Sequence, residues 1–387
     1  MKRQLQNSKL LGFLRIGPEN ARFQSMATVL RGLWKHVQRE LIPMLRDEIG
    51  ALGERDRKFV EIIALLPLEA FAERYAWRNL GCPPESRLWM LQAFVAKEIY
   101  GFPTRKALIE GLKTSPTLCR LCGWESAPEV HSESTFSRAF ARFAEDRLPE
   151  LIHAELIKRH CQDKLVGHVS RDSTAIKAPD NSPITKKPAP ERGKPGRPPK
   201  GQEPKPAAPK RLALQPKRTL EENLADLPKA SDCSGKRGSK GSMEYWRGYK
   251  LHVDVIDGDI PVSAILTSAS THDSQVAIPL MQMTGQRVRS CYQLMDAAYD
   301  AQAIHEFAEQ QGQVPIIEPA KKGQWVPLDP AERRRFAERS ASERFNARLK
   351  DNHGGRTVRV RGAAKVMCHL MFGVLVIAAS GIWSRLA

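Results

Sequence analysis

The chain has no regular cysteine framework. Its seven cysteines, Cys82, Cys119, Cys122, Cys161, Cys233, Cys291 and Cys368, are an odd number without repeating spacing. That excludes a disulfide-stapled secreted scaffold and fits thiols kept reduced in a cytoplasm. Only Cys119-x-x-Cys122 forms a close pair. His131, His160 and Cys161 follow, but the second close pair of a structural zinc site is missing, and two thiols on one helical face are ordinary core residues. No secretory leader is visible, because LLGFLRIG is short and broken by Arg15. Long apolar runs are scarce too. VMCHLMFGVLVIAASGIW (366–383) is as long as the shortest spanning helix but carries His369, and we read it as a buried closing helix rather than a membrane span. Negative charge is also in deficit: 43 acidic residues face 61 basic ones, a net +18. A surplus of that size, locally clustered, points to a polyanionic partner.

At 387 residues the chain is long enough for two domains. Residues 1–160 read as a helical N-terminal region, because apolar residues recur at helical spacing in VLRGLWKHVQRELIPML, FVEIIALLPLEAFAERYAW and RLWMLQAFVAKEIYG. Ser132 and Ser134 are N-cap candidates for the helix that follows. After residue 160 the period changes. KLVGHVSRDSTAI reads as a strand, and GYKLHVDVIDGDIPVSAILTSAS as a hairpin turning at Asp257, Gly258 and Asp259. YQLMDA, AQAIHEFAEQQG and VPIIEPA then alternate strand, helix, strand. This order predicts an α/β domain over 161–387, a mixed sheet with helices on both faces. Residues 177–243 interrupt it. They hold 12 of the 27 prolines and many lysines, and are expected to form a flexible basic arm, with one weak helix at TLEENLADL.

Three carboxylates stand out: Asp172 in RDSTAI, Asp296 in LMDAAYD and Glu343 in RSASERFNARLK. Two at strand ends and one on a helix are what a two-metal phosphoryl-transfer site needs, since hard Mg²⁺ or Mn²⁺ ions take oxygen ligands. Phe336, Arg339, Glu343 and Lys350 fall within about 60° of one another on a helix. One face so presents an acid flanked by two cations able to hold phosphates. The same spacing also suits a solvated, salt-bridged helix. Asp300 is expected to cap the next helix. Asp273 either supports the site or closes a turn, and His252 reads as a packed strand residue.

Phe336, Arg339, Glu343 and Lys350 resemble the Tyr-x₂-Arg-x₃-Glu-x₆-Lys signature of DDE transposases from bacterial insertion sequences, in the group holding families four and five. Phe336 stands where the signature has Tyr. RDSTAI resembles the first-Asp motif and MDAAYD the second, and WRGYKLHV, SASTHDSQVAIPL and VRVRGAAKVMCHLMFG resemble neighbouring blocks, so the likeness covers roughly 134–176 and 244–376. It implies a ribonuclease H-like catalytic core, with Asp172 on the first strand, Asp296 ending the fourth and Glu343 on the last core helix. It also implies two Mg²⁺ (or Mn²⁺) ions on Asp172, Asp296 and Glu343, with Arg339 and Lys350 assisting. The activity implied is cleavage of element ends and strand transfer into target DNA by a dimer or higher oligomer, in the bacterial cytoplasm and without a membrane. The relatives that carry a large β insertion place it between the second Asp and the Glu. Here those residues are only 47 apart, whereas Asp172 and Asp296 are 124 apart.

DNA contacts are expected elsewhere as well. Segments 104–112, 115–122 and 134–146 form a helix-turn-helix-like pattern, with Ser134, Arg138 and Arg142 lining the last helix. Phe136, Phe140 and Phe143 give that helix an apolar face. GKPGRPPKG, with Lys194, Arg197 and Lys200, resembles a minor-groove hook, and Arg348 follows Glu343 as a further phosphate contact.

Overall fold

The apolar periodicity ahead of residue 160 becomes a set of packed helices. The computed structural model describes residues 37–44, 50–76, 86–162, 164–180, 210–237, 241–319 and 327–386. The main early helices are α1 (Glu54–Leu65), α2 (Arg87–Tyr100), α3 (Arg105–Thr114), α4 (Pro116–Leu121), α5 (Glu133–Glu145) and α6 (Leu148–Cys161). Three of them are sealed by hydroxyl caps: Ser86 accepts from the Trp89 N–H, Thr104 from Ala107 and Ser115 from Leu118. Each such cap satisfies an orphan helix donor and is worth about 1 kcal/mol. Helix α5 lacks this cap. Ser132 occupies its N-cap position, but its hydroxyl pairs with the Ser134 hydroxyl at 2.9 Å instead.

The second half builds one sheet from β1 (Leu165–Lys177), β2 (Asp232–Arg237), β3 (Met243–Ile256), β4 (Ile260–Ser268), β5 (Arg289–Met295) and β6 (Val314–Ile317). The order is β2-β3-β1-β5-β6, with β4 also on β3. Strands β1, β5 and β6 run parallel, and β3 is antiparallel to β1, β2 and β4. The hairpin turn falls where expected: Gly258 and Asp259 take the positive φ values of 80° and 59° that a tight turn needs. Gly248 has φ 138°. A Cβ there would strike the Ile176 carbonyl, so glycine lets β3 run on past the end of β1 to pair with β2.

Helices α8 (Ser274–Gly285) and α9 (Gln302–Gln310) cover one face, joining Ile278 and Met281 to Met295, Tyr299 and Phe307. After α10 (Pro330–Phe336), helices α11 (Ser340–Asn352) and α12 (Ala363–Ser384) cover the other, packing Phe345, Leu349 and Leu370 on Leu251, Val253 and Val255. This is the two-sided mixed sheet expected of a ribonuclease H-like core. Helix α12 is apolar enough to cross a membrane by length and composition, yet 72% of its apolar window is buried. Its Phe372 stacks on Phe94 at 5.4 Å, and one continuous core links α1–α6, α12 and the sheet residues Val166, Val169 and Val262.

The expected arm differs in its second half. Residues 210–237 are folded, with α7 (Leu220–Asp226) closed by a Thr219–Glu222 capping box and β2 paired along β3. Leu227 is buried with Ile265 and Leu280. Helix α7 is the one expected at TLEENLADL; the basic composition of 177–243 hid the pairing of β2 with β3. The remainder of the arm lies outside the described residues. The arm supplies β2, so β5, which Asp296 follows, is the fifth strand of the chain and the fourth of those outside the arm.

Candidate active site

Alternation along β1 separates two chemistries. Ser170 and Asp172 face α11. The Ser170 hydroxyl lies 2.7 Å from the Arg339 carbonyl and 2.8 Å from the Ser342 hydroxyl, and Asn346 Nδ2 donates to Asp172 Oδ2 at 3.0 Å. Arg171 points the other way. It is fully buried and grips Asp254 with two bonds of 2.8 and 2.6 Å.

Parallel pairing brings the second acid alongside. Ser170 is in register with Leu294 on β5, so Asp172 and Asp296, each two residues further on, come level with each other; Asp296 stands just past the end of β5, whereas Asp172 lies within β1, which runs on to Lys177, and not at the strand end expected of it. Asp296 Oδ1 accepts from the Ala298 N–H at 3.0 Å. Burial pushes the Asp172 carboxyl up to about 6, and the charges of Asp296 and Asp273 add to this, while the Ser173 N–H and Arg339 oppose it. Asp296 is raised by burial and by Asp273, and is eased by Ala298, Arg339 and Lys236. Asp273 differs. Burial raises it, but His252, Lys250 and bonds from Lys250 and Ser173 outweigh that and bring it below its ordinary value. Lys250 Nζ lies 3.0 Å from Asp273 Oδ1. Burial lowers His252 to about 4, so this imidazole is neutral at higher pH and Lys250 is the charge that keeps Asp273 ionised.

Arg339 links the acid pair to α11. Its Nη2 donates to Glu343 Oε1 at 2.6 Å, its guanidinium stands 5.7 Å from the Phe336 ring, and its charge acts on both Asp172 and Asp296. Phe336 so meets the arginine through its ring face. Lys350, half-buried, is lowered by burial and by Arg356 and Lys236, and supported by Asp172 and Glu244.

The donor set suits a hard divalent ion. Asp172 and Asp296 offer carboxylate oxygens whose ionised forms are disfavoured by burial and by each other, and a cation relieves both costs. Glu343, expected as the third oxygen donor, is instead tied to Arg339 and exposed over 56% of its side chain. Among the described residues, no three Asp, Glu, His or Cys side chains form a ready-made metal cluster.

Other expected residues lie elsewhere. Arg348 and Arg344 clasp Asp259 in the β3–β4 turn, at 3.4 and 2.7 Å. Ser134, Arg138 and Arg142 stand on the exposed side of α5, with Phe136, Phe140 and Phe143 buried beneath. Arg142 is bridged to Glu145 and Asp146. Lys194, Arg197 and Lys200 lie outside the described residues. Asp300 does not cap α9; Ala301 occupies that position, and Asp300 lies 3.2 Å from His305 Nε2. Cys119 and Cys122 are buried, unpaired thiols in the shared core.

Sequence reasoning missed Asn346, Lys250, Tyr299 and Lys236. Asn346 was detectable, since it sits one helical turn after Glu343 on the same face. The others depend on strand register and on β2, which no local pattern announces.

The chain matches two families. The transposase DDE domain family covers residues 168–378, and the transposase domain family DUF772 covers residues 47–142. No curated protein and no solved structure matches the chain. The first match spans more than half of the 387 residues and overlies the strands and helices that carry Asp172, Asp296 and Glu343, and the chain belongs to the DDE transposases.

Proposed function

We propose that the protein cleaves DNA at the ends of its element and joins the freed strand to target DNA, using divalent metal at Asp172, Asp296 and Glu343. The observation that carries this is the pair Asp172 and Asp296, separated by 124 residues yet brought level with each other by the register of β1 with β5. Asp172 and Asp296, with Glu343, would hold the ion, and the chemistry it would supply is Lewis-acid polarisation of a phosphate. The chain's own groups do the rest. Asn346 fixes the Asp172 carboxylate. Lys250 keeps Asp273 anionic behind it, which biases the pocket toward cations. Arg339 and Lys350 offer fixed positive charge to phosphate oxygens, and a phosphate that takes Arg339 releases Glu343 toward the aspartates. No covalent protein–DNA link is required, because hydrolysis and transfer are both displacements at phosphorus.

Helices α3, α4 and α5 supply the reading of the terminal repeats in this scheme, with Ser134 and Arg138 outward and Arg142 shared with its acidic neighbours. Lys194, Arg197, Lys200 and Arg348 add backbone contacts. Coordinated cutting of two ends calls for a dimer or larger assembly in the cytoplasm.

Labelled duplex carrying the element's end, incubated with the full chain and Mg²⁺ or Mn²⁺, tests this directly. Cleavage followed by joining is expected for the wild type, and Glu343→Gln and Asp172→Asn should bind the duplex but lose at least about 10³-fold in rate, as when a group central to the transition state is removed. Normal cleavage by either variant would remove that residue from the site. Cleavage without joining would leave a nuclease of this fold, and binding alone a silent relative.

A further inference from the structure

The ribbon made by β2 and the first half of β3 is unexplained by the acids themselves. It begins where Gly248 lets β3 leave β1, and its ladder pairs Lys236 with Glu244, Gly235 with Tyr245 and Cys233 with Arg247. Both strands are largely solvent-facing there, with Tyr245 73% exposed. The two faces of this ribbon differ. Arg247 Nε donates to Cys233 Sγ at 3.4 Å on one side. On the other, Glu244 Oε1 is held 2.8 Å from Lys177 Nζ at the end of β1, which anchors this face beside the strand that carries Asp172.

Lys236 shares that second face. Among the described residues it has no hydrogen-bonded or ion-paired partner, since its cross-strand neighbour Glu244 is taken by Lys177. Its charge nonetheless reaches both Asp296 and Lys350. Lys350 likewise makes no ion pair among the described residues, though the charges of Asp172 and Glu244 favour it and those of Arg356 and Lys236 oppose it. Two ammonium groups without ion pairs, one on the exposed ribbon and one on α11, stand within reach of each other's charge beside Asp172 and Asp296, and a further anion between them would be held by both. A DNA phosphate matches in charge and size.

We infer that the β2–β3 ribbon is a DNA clamp, with Lys236 binding a backbone phosphate next to the one presented to Asp172 and Asp296, opposite Lys350. This rests on the DNA-cleaving function proposed above and adds to it a second wall of the substrate groove, built from the folded half of the basic insertion. The occupant is the phosphodiester backbone of the strand being cut, so the contact is blind to base sequence.

Affinity for a duplex bearing the element's end, measured across a salt series, tests it. Lys236→Ala should reduce the slope of log K against log salt by about one, the counterion release of a single phosphate contact. It should also slow cleavage at least about tenfold, and Lys236→Glu should do so further. Lys236→Arg should restore both. Arg247→Ala, on the reverse face, controls for general charge and should leave the rate within about twofold. Because Lys236 is exposed, thermal unfolding of the variants should match the wild type. An unchanged salt slope and rate in Lys236→Ala and Lys236→Glu would overturn the inference, as would an equal loss in Arg247→Ala. If the wild type binds but fails to cleave with either metal, the proposed function falls, while the salt slopes still decide the clamp.

Discussion

Replacing Arg171 with Met tests the ion pair behind the active strand. Arg171 and Asp254 are both fully buried. The carboxylate takes bonds of 2.8 and 2.6 Å from Arg171 and one of 2.7 Å from Thr284. Arg171 further contacts Gln293 and Met295, each at 3.3 Å. Methionine fills most of the space but leaves the buried Asp254 carboxyl with a single hydroxyl donor, Thr284. Breaking a buried pair in this way costs about 3–5 kcal/mol. For a chain of 387 residues the unfolding entropy is roughly 0.8 kcal/mol/K, so 4 kcal/mol lowers Tm by about 5 °C. Adding Asp254→Leu removes the stranded polar group, and the double variant should return to within about 1 kcal/mol of wild type, giving a coupling of roughly 3 kcal/mol or more. Asp172 faces the opposite side of β1, bonded to Asn346, so the double variant should keep its cleavage rate within about tenfold, or 1.4 kcal/mol of barrier. Urea and thermal unfolding of the two single variants and the double variant, with cleavage measured alongside, provide the assay. A single variant within about 1 kcal/mol of wild type would refute the reasoning. So would a double variant less stable than either single.

Two further outcomes follow from the same face of the fold. Tyr299 is 1% exposed and its hydroxyl has no hydrogen-bond partner among the described residues; burial, then the charges of Asp273 and Asp172, push its phenol well above the ordinary range. Tyr299→Phe should therefore stabilise the protein by about 1 kcal/mol in urea unfolding, and a loss of stability would show that the hydroxyl is bonded. The pH dependence has a definite sign. With the Asp172 carboxyl at about 6 when folded against 3.8 as its reference, the folded state holds a proton that the unfolded chain has released between those values. Its contribution is fully present below about pH 4 and is lost as pH rises through about 6. The loss is at most about 3 kcal/mol, lessened by solvent at this half-buried group. Without divalent ions, stability measured from pH 4 to 7 should show this decline in the wild type and lack it in Asp172→Asn.

Much of this could be read from the chain before any coordinates. The Asp257–Asp259 turn, the strand at 165–177 and the run of helices follow from local rules of period and turn chemistry. Those rules are short-ranged, and so were the failures. Lysine and proline content marked 177–243 as an arm with one weak helix; the helix is there, but that Leu227 packs with Ile265 and Leu280 and that β2 pairs along β3 were not announced by composition. The acids were legible as residue types, but their relation was not. Spacing placed Arg339 and Glu343 one turn apart, which their 2.6 Å bond reflects. That Arg339 would also reach Asp172 and Asp296 depends on the β1–β5 register. The ion pair of Arg171 with Asp254 joins strands 83 residues apart, a distance over which pattern carries no information.

Helix α12 has a consequence for how the chain is made. Phe372, Leu375 and Ala379 belong to the same core as Phe94, Phe136 and Leu156, which emerge from the ribosome more than 200 residues earlier. Until Ala363–Ser384 has been synthesised, those early helices carry an uncovered apolar flank of the kind that favours aggregation. Products cut short by a premature stop or frameshift upstream of α12 would lack their keystone and go to proteolysis, so a truncated copy would not accumulate as a folded competitor for the same DNA ends.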